Sequence, residues 1–153
     1  MHPTARLAHL GLSLPTPNTP VGSYLPAKVV GDLVFTSGVV PFKEGQLLFT
    51  GRVPDQVTPE DAAECARQCA LNILGNLATV VDLGEIEIIR INGYVASSPN
   101  FTGHPGVLNG ASDLLAEVLG DRGRHTRVAV GVAALPLGAP VEIDCMARIV
   151  GPD

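Results

Sequence analysis

Two charged residues near the C-terminal end of the chain could act together on a small acid. Arg127 opens a run of alternating apolar and small residues, and its planar guanidinium can donate paired hydrogen bonds to a carboxylate or a phosphate. Glu142 lies in a second alternating run, where its carboxylate could position or deprotonate a water molecule. An arginine at such a place is also typical of a solvated edge residue that pairs with an acid, so spacing alone leaves two interpretations of Arg127.

The residues around Arg127 and Glu142 predict two strands. Residues 127–132 alternate valine with small side chains, and residues 141–149 alternate apolar with polar side chains, which is the period-two pattern of strands with two different faces. Residues 135–140 between them contain two prolines and a glycine, which favour a turn. We therefore predict a tight antiparallel hairpin.

The predicted hairpin separates the two charged residues. With the turn at its centre, Arg127 faces Arg148 and Glu142 faces Ala133. These pairs are several positions apart, which at about 3.3 Å per residue separates them by roughly 20 Å along the sheet. A small ligand cannot contact both from one chain, so we expect a shared site to take the two residues from different subunits.

Several motifs of the chain resemble the YjgF/RidA family of reactive-intermediate deaminases. Arg127, the Leu-Pro pair at 135–136 and the Val-Glu-Ile run at 141–143 resemble the family's C-terminal signature. Upstream, the segment TSGVVP at 36–41 is similar to the family's Ser-Gly-Gln-Ile-Pro, with Val39 in place of the usual glutamine. The polar contact that a glutamine side chain would make is therefore not expected here.

Other positions outside these motifs also resemble the family, and the resemblance extends over roughly residues 18–150. Tyr24 lies in a segment similar to the family's Gly-Pro-Tyr, whose tyrosine edges the ligand pocket, although a tyrosine there suits packing as well. Asn109 occupies the position of an asparagine in the family's second helix, although a polar residue in an apolar stripe usually ties down a loop. Ala129 stands where the family's Arg-Ser-Cys has its cysteine, which argues against a thiol role.

The resemblance implies a fold, an assembly and an activity. The fold is α+β and chorismate mutase-like, with two helices packed on one face of a β-sheet, and the assembly is a homotrimer with clefts between subunits. The reaction is hydrolysis of 2-imino acids and their 2-enamino tautomers to 2-keto acids and ammonia, with no metal or organic cofactor. Glu142 is then the catalytic residue, and Arg127, Tyr24, Ser37 and Asn109 bind the carboxylate substrate. A non-catalytic carboxylate-binding trimer is the main alternative, and an endoribonuclease is a weaker one.

Composition limits the classes of function. At 153 residues the chain fits one domain, in which we interpret residues 1–20 as an irregular leader and 21–153 as the folded part. Only 16% of the residues are charged and 46% are hydrophobic, which predicts that part of the surface is buried against other subunits. The net charge of −5 disfavours a nucleic-acid partner. The lack of a long apolar run or of a signal-peptide pattern, together with an odd number of cysteines, favours a cytoplasmic protein with no membrane span.

The remaining pattern predicts two helices and a long strand. Thr58, followed by a proline and two acids, indicates the start of a helix whose apolar stripe continues to about Asp82. Residues 85–97 alternate as a strand, with a bulge expected at Asn92–Gly93. Residues 105–119 form the second helix, which an adjacent glycine ends.

We assign no catalytic role to the helix cysteines or to His125. Cys65 and Cys69 lie four apart in the first helical stripe, where the core is favoured over a metal site because no further ligands are near. His125 precedes Arg127 by two residues; it could donate to a bound anion, but we favour a role at the end of a loop.

Overall fold

The computed structural model describes residues 1–17 and 22–152 of the chain. Its helices and strands, in chain order, are α1 (Pro3–His9), β1 (Ala27–Val30), β2 (Leu33–Thr36), β3 (Phe42–Lys43), β4 (Gln46–Leu47), α2 (Pro59–Leu77), β5 (Ile86–Ala96), α3 (His104–Leu119), β6 (Thr126–Val132) and β7 (Val141–Ile149). The main sheet has five strands in the order β1-β2-β7-β5-β6, and β3 pairs with β4 in a separate hairpin.

One face of the main sheet is covered by α2 and α3, and the hydrophobic core lies between this face and the two helices. Buried and partly exposed side chains alternate along most of β7, with Ile143 among the buried ones, and along β5 except at its bulge and its C-terminal end, with Ile91 among the buried ones. The helices contribute matching apolar stripes, which include Ile73 and Leu114. The predicted α+β architecture is therefore confirmed, with the helices on one face. We call the other face of the sheet the open face.

The first predicted helix starts where the sequence indicated and ends earlier. The Thr58 hydroxyl accepts a hydrogen bond from the Asp61 N–H at 3.1 Å, and Pro59 occupies the first turn. The helix ends at Leu77 rather than near Asp82, whose carboxylate instead accepts from the Gly84 N–H at 2.7 Å and begins a short 3₁₀ turn. Within the described residues, no helix combines the length and apolarity needed to cross a membrane.

The prediction of an irregular leader was wrong for its first part. Residues 3–9 form α1, and Leu7 on this helix is buried in the core. Pro3 does not oppose the helix because it stands in the first turn, where its missing N–H is not needed. Residues 18–20 of the predicted leader lie outside the described residues.

The predicted hairpin of β6 and β7 was also wrong, because β5 lies between them. β6 runs parallel to β5 and pairs Arg127 with Ile91, whereas β7 runs antiparallel to β5 and pairs Glu142 with Tyr94. The parallel pair is joined through α3, the crossover helix that such a connection needs. The turn residues at 135–140 were identified correctly, but a turn in the sequence does not reveal whether a third strand separates the two that it joins.

The bulge in β5 lies elsewhere than predicted. The register shifts between Ile88 and Arg90, while Asn92 and Gly93 pair regularly with both neighbouring strands. Gly93 has a packing role instead, because a Cβ atom at this position would lie 2.2 Å from Cδ1 of Leu108. The glycine therefore allows α3 to lie close against the centre of the sheet.

Candidate functional site

Arg127 lies on the edge strand β6, and its guanidinium reaches toward α3. One terminal nitrogen, Nη1, donates to Oδ1 of Asn109 at 2.9 Å and to Oγ of Ser112 at 3.1 Å, and Nη2 lies 3.4 Å from the carbonyl oxygen of Pro105. All three partners are neutral. Among the described residues no carboxylate forms an ion pair with Arg127. The structure therefore does not support the interpretation of Arg127 as the partner of an acid within the described residues, and its charge is not neutralised by any of their carboxylates.

A chain of hydrogen bonds fixes the arginine from behind. Nδ1 of His125 must donate to the Gly123 carbonyl at 2.6 Å, because a carbonyl oxygen only accepts. In the neutral ring Nε2 then accepts from the Ser112 hydroxyl at 2.9 Å, which leaves the Ser112 oxygen to accept from Arg127. His125 thus does more than end a loop. Sequence reasoning missed Ser112, although its position three residues after Asn109 on α3 places both on one helix face.

Glu142 lies on the open face, against the backbone that follows β2. A Cβ atom at Gly38 would come within 2.8 Å of Oε1 of Glu142, so the glycine leaves the space that this carboxyl group occupies. The side chain is half-buried, and desolvation, with a smaller contribution from the nearby Asp144 carboxylate, raises the pKa of Glu142. A raised pKa brings a carboxyl group nearer the pH at which it can both accept and release a proton.

Polar residues missed by the sequence reasoning lie beside Glu142. The Asn92 side chain donates to Asp144 at 2.7 Å, and the Tyr94 hydroxyl lies 3.3 Å from the other Asp144 oxygen. Nε of Arg90 donates in turn to Asn92 at 3.0 Å. Burial, followed by the effect of Asp144, raises the pKa of Tyr94. The signal was present as same-face alternation in β5 and β7, but the pairing of these strands had not been predicted.

Tyr24 and Ser37 lie together at a cavity on the helix side of the sheet. The Ser37 hydroxyl donates to the Leu25 carbonyl at 2.5 Å and so ties down the segment that carries Tyr24. The cavity has a volume of about 450 Å³ and lies between residues 11–17, the turn after β3, and α2. Gly38 also lines it, which brings the cavity close to the Glu142 carboxyl group. Arg127, Asn109 and Glu142 do not line it.

The structure thus divides the predicted site residues into two groups within one chain. Arg127 and Asn109 lie at the β6 edge, whereas Tyr24, Ser37 and Glu142 lie around the end of β2. Arg127 and Glu142 are two strands apart and three register positions apart. Strand geometry then separates their Cα atoms by roughly 14 Å, and their side chains leave opposite faces of the sheet.

The cysteines take no part in either group. Cys65, Cys69 and Cys145 are buried, so the two helix cysteines lie in the core as predicted. Burial is the main cause that raises the pKa of Cys65 and of Cys145 to about 12, which keeps these thiols protonated. In the part of the chain that the structure describes, no three His, Cys, Asp or Glu side chains are grouped so that they could hold a metal ion.

Comparison with known proteins places the chain in a family. Residues 4–149 match the family model described as "YjgF/chorismate_mutase-like, putative endoribonuclease". Protein TCP17 of Trypanosoma cruzi is 37% identical over 148 residues, which is 95% of this chain and 92% of that protein. The crystal structure of Atu1372 from Agrobacterium tumefaciens is 42% identical, with a TM-score of 0.88 over 96% of this chain and 91% of that one.

A crystal structure from Shewanella oneidensis, whose name carries the same endoribonuclease description, is 32% identical. It has a TM-score of 0.94 over 97% of this chain and 100% of that one, so the similarity includes the whole arrangement of helices and strands. Sequence and structure agree, and the chain belongs to the YjgF/chorismate mutase-like family.

Proposed function

We propose that this protein hydrolyses reactive 2-imino acids and their 2-enamino tautomers to 2-keto acids and ammonia, in sites formed between subunits. The observation that carries the proposal is the Arg127 guanidinium, which neutral groups on α3 hold at the sheet edge and with which no carboxylate pairs among the described residues. All 2-imino acids carry a carboxylate beside the reacting carbon, and a planar guanidinium can bind that group through two parallel hydrogen bonds.

Glu142 supplies the proton transfers in this proposal. Its carboxylate takes a proton from a water molecule as the water oxygen attacks the carbon of the protonated imine, which gives a carbinolamine with a neutral amine. The protonated Glu142 then gives its proton to that amine and the carbon–nitrogen bond breaks. As ammonia leaves and the carbonyl forms, Glu142 accepts the hydroxyl proton of the carbinolamine and passes it to the departing ammonia or to solvent. The raised pKa of Glu142 favours such a shuttle, because the carboxyl group must both accept a proton and donate one. The balance is one water consumed and one ammonia released, and no metal or organic cofactor is required.

The proposed site needs more than one chain, because Arg127 and Glu142 of one chain are too far apart for a small ligand to contact both. We propose a homotrimer in which the open face is buried. Support comes from apolar side chains on that face that remain more than a third exposed, which include Val30, Phe35, Val128 and Val130. We also propose a cytoplasmic location, since the buried cysteines are unpaired.

The test is the release of keto acid from freshly generated imino acids. An amino-acid oxidase acting on alanine or leucine supplies the imine, and the rate above the spontaneous background is measured for wild type and Arg127→Ala. Arg124→Ala is the matched control, because Arg124 is an exposed arginine three residues away. We expect Arg127→Ala to fall to background and the control to keep its rate. An undiminished rate in Arg127→Ala would refute the proposal.

Two other functions give distinct results in the same experiments. If wild type binds a keto acid through Arg127 but never exceeds the background rate, the protein is a carboxylate-binding protein without this activity. An endoribonuclease, as the family description names it, would cleave RNA in a salt-dependent manner that survives the loss of Arg127. The net charge of −5 and the carboxyl groups of Glu142 and Asp144 on the open face disfavour RNA.

A further inference from the structure

The cavity on the helix side has the features of a second binding site. Its volume of about 450 Å³ lies within the range of roughly 300–1,000 Å³ that is usual for small-molecule sites. Its apolar lining includes Leu12 and Phe42, together with Leu71 on α2. The same helix also presents Gln68, Asn72 and Asn76, whose spacing of four residues puts three amide groups on one side of the helix. Asn76 is buried and the other two are partly buried, so the hydrogen-bond partners of all three amide groups need to be identified.

Two of these amides are partly or fully occupied within the protein. Asn72 donates both N–H groups, to the Val40 carbonyl at 3.1 Å and the Phe42 carbonyl at 3.0 Å. Its oxygen accepts from Gln68 at 3.0 Å. Asn72 therefore anchors the segment around β3 to α2 and has a structural role. The hydrogen bonds of the described residues use one N–H of Gln68 and leave its carbonyl oxygen available to the cavity.

Asn76 is different, because its side chain is buried and makes no hydrogen bond with any described residue. Only 8% of this residue is exposed. No fully enclosed side-chain nitrogen or oxygen of the described residues lacks a partner, so the exposed remainder of Asn76 must include its amide atoms, which face the cavity. Buried polar groups in folded proteins are almost always paired, and an amide that is not paired inside the chain can be paired by a ligand.

The charges around the cavity define the class of ligand. Lys43 and Glu44, its charged lining residues, are exposed on the turn at the rim and have opposite signs. The interior groups are amides, hydroxyls and hydrocarbon. A charged ligand group placed beside Asn76 would lose its water without gaining an opposite charge, whereas a carboxamide offers one donor and one acceptor that match the Asn76 amide.

We propose that this cavity binds an uncharged small molecule with a carboxamide group and an apolar body, and that Asn76 pairs with the carboxamide while Leu71 and Phe42 contact the apolar part. The site does not use Arg127 or Glu142. Tyr24 and Ser37 line the cavity and are also predicted to bind the deaminase substrate, but the proposed carboxamide contacts use neither of them, so the inference can be tested separately from the deaminase activity.

The experiment is a titration of the isotope-labelled full chain with benzamide, followed by amide chemical shifts. Benzamide combines a carboxamide with an apolar ring, and benzoate, with the same shape and a negative charge, is the matched probe. We expect benzamide to shift resonances of residues 68–76 and 11–17, and Asn76→Leu to weaken its binding by about tenfold or more. Benzoate should leave those resonances unchanged. Arg127→Ala should leave benzamide binding unchanged, so this result does not depend on the deaminase.

Two further results decide the matter. Asn76→Leu replaces an unpaired amide with hydrocarbon of similar size, so its thermal midpoint should equal or exceed that of wild type. A clearly lower midpoint would mean that the Asn76 amide is paired within the protein and would overturn the proposal. Absence of shifts in the cavity at saturating benzamide, or equal binding by wild type and Asn76→Leu, would overturn it as well.

Discussion

The two faces of the five-stranded sheet are built from different kinds of residue. The helix-covered face presents side chains such as Ile88, Ile91 and Ile143, which are buried by α2 and α3. The open face carries a hydrogen-bonded polar cluster around Asp144 together with exposed valines such as Val130. The first face is completed within one chain. The second face leaves the Glu142 carboxyl group half-buried and leaves apolar area in water, and both features support the proposal that a partner subunit covers it.

The largest expected effect concerns the helix-covered face, where α3 approaches α2 at Gly110. A Cβ atom at Gly110 would lie 2.1 Å from the Ala63 carbonyl oxygen, and backbone cannot move aside as a side-chain tip can. Gly110→Ala should therefore lower the free energy of unfolding by about 3 kcal/mol, despite the better helix propensity of alanine. Urea denaturation measures the change.

The same substitution at Gly106, one turn earlier on α3, is the control. A Cβ atom there meets nothing within 4 Å. Gly106→Ala should raise the free energy of unfolding by roughly 0.5–1 kcal/mol, through helix propensity and a less flexible unfolded chain. Equal effects at the two glycines would show that close packing of α2 on α3 is not what requires Gly110.

A charge on the open face should leave the fold of the chain intact and remove the assembly. In the proposed trimer, Val130→Asp would bury an unpaired carboxylate between subunits. We expect sedimentation to find trimers for wild type and single chains for the variant. Val80→Asp is the control, because Val80 and Val130 are both 41% exposed and Val80 lies outside the sheet. Loss of assembly in both variants, or in neither, would contradict the assignment of the open face as the interface.

The division of the proposed site between subunits predicts recovery of activity on mixing. Arg127→Ala and Glu142→Ala should each be inactive, since every site then lacks one residue. After joint unfolding and reassembly in equal amounts, about one quarter of the sites should carry both intact residues, if each site combines two neighbouring chains at random. Keto-acid release near a quarter of the wild-type rate is the expected result. No recovery, with mixing proven by mass spectrometry, would place the site within one subunit.

The sequence predicts those features of the structure that depend on residues close together in the chain. The start of α2 at Thr58 follows from capping chemistry within a few residues, and it was predicted correctly. The strands around Arg127 and Glu142 follow from alternation, and both were found. The insertion of β5 between them is set by packing across the whole chain, so a local pattern pointed to the wrong neighbours.

The candidate site shows the same limit. The type of residue at Arg127 indicated its chemistry, but Ser112 and His125, which support it, come together only because α3 packs beside β6. Asn76 gave no signal, because a polar residue in a helix is ordinary until its burial and lack of partners are known. Spacing therefore predicts which residues share an element, and packing decides which share a site.

The smallest expected effect tests whether Glu142 on the open face belongs with Arg127 of the partner subunit. The raised pKa of Glu142 means that the folded chain binds its proton more tightly than the unfolded chain. For this group, stability is highest below the unfolded value of about 4.3 and falls as the pH rises through the folded pKa. Glu142→Gln removes the charge, so its gain in unfolding free energy over the parent protein should appear above about pH 4.3 and persist at neutral pH.

An arginine from a partner subunit would oppose this cost. We therefore expect the gain from Glu142→Gln to be full in an Arg127→Ala background and smaller or reversed in wild type, when both are unfolded by urea at one protein concentration. Glu87→Gln is a control for which we expect the opposite change in stability. Glu87 accepts a hydrogen bond from Arg148 at 2.8 Å, so the substitution should lower the free energy of unfolding by up to about 1 kcal/mol in either background. If Glu142→Gln has the same effect in both backgrounds, the two residues are not coupled. They would then not share a site, however well each one binds or transfers protons.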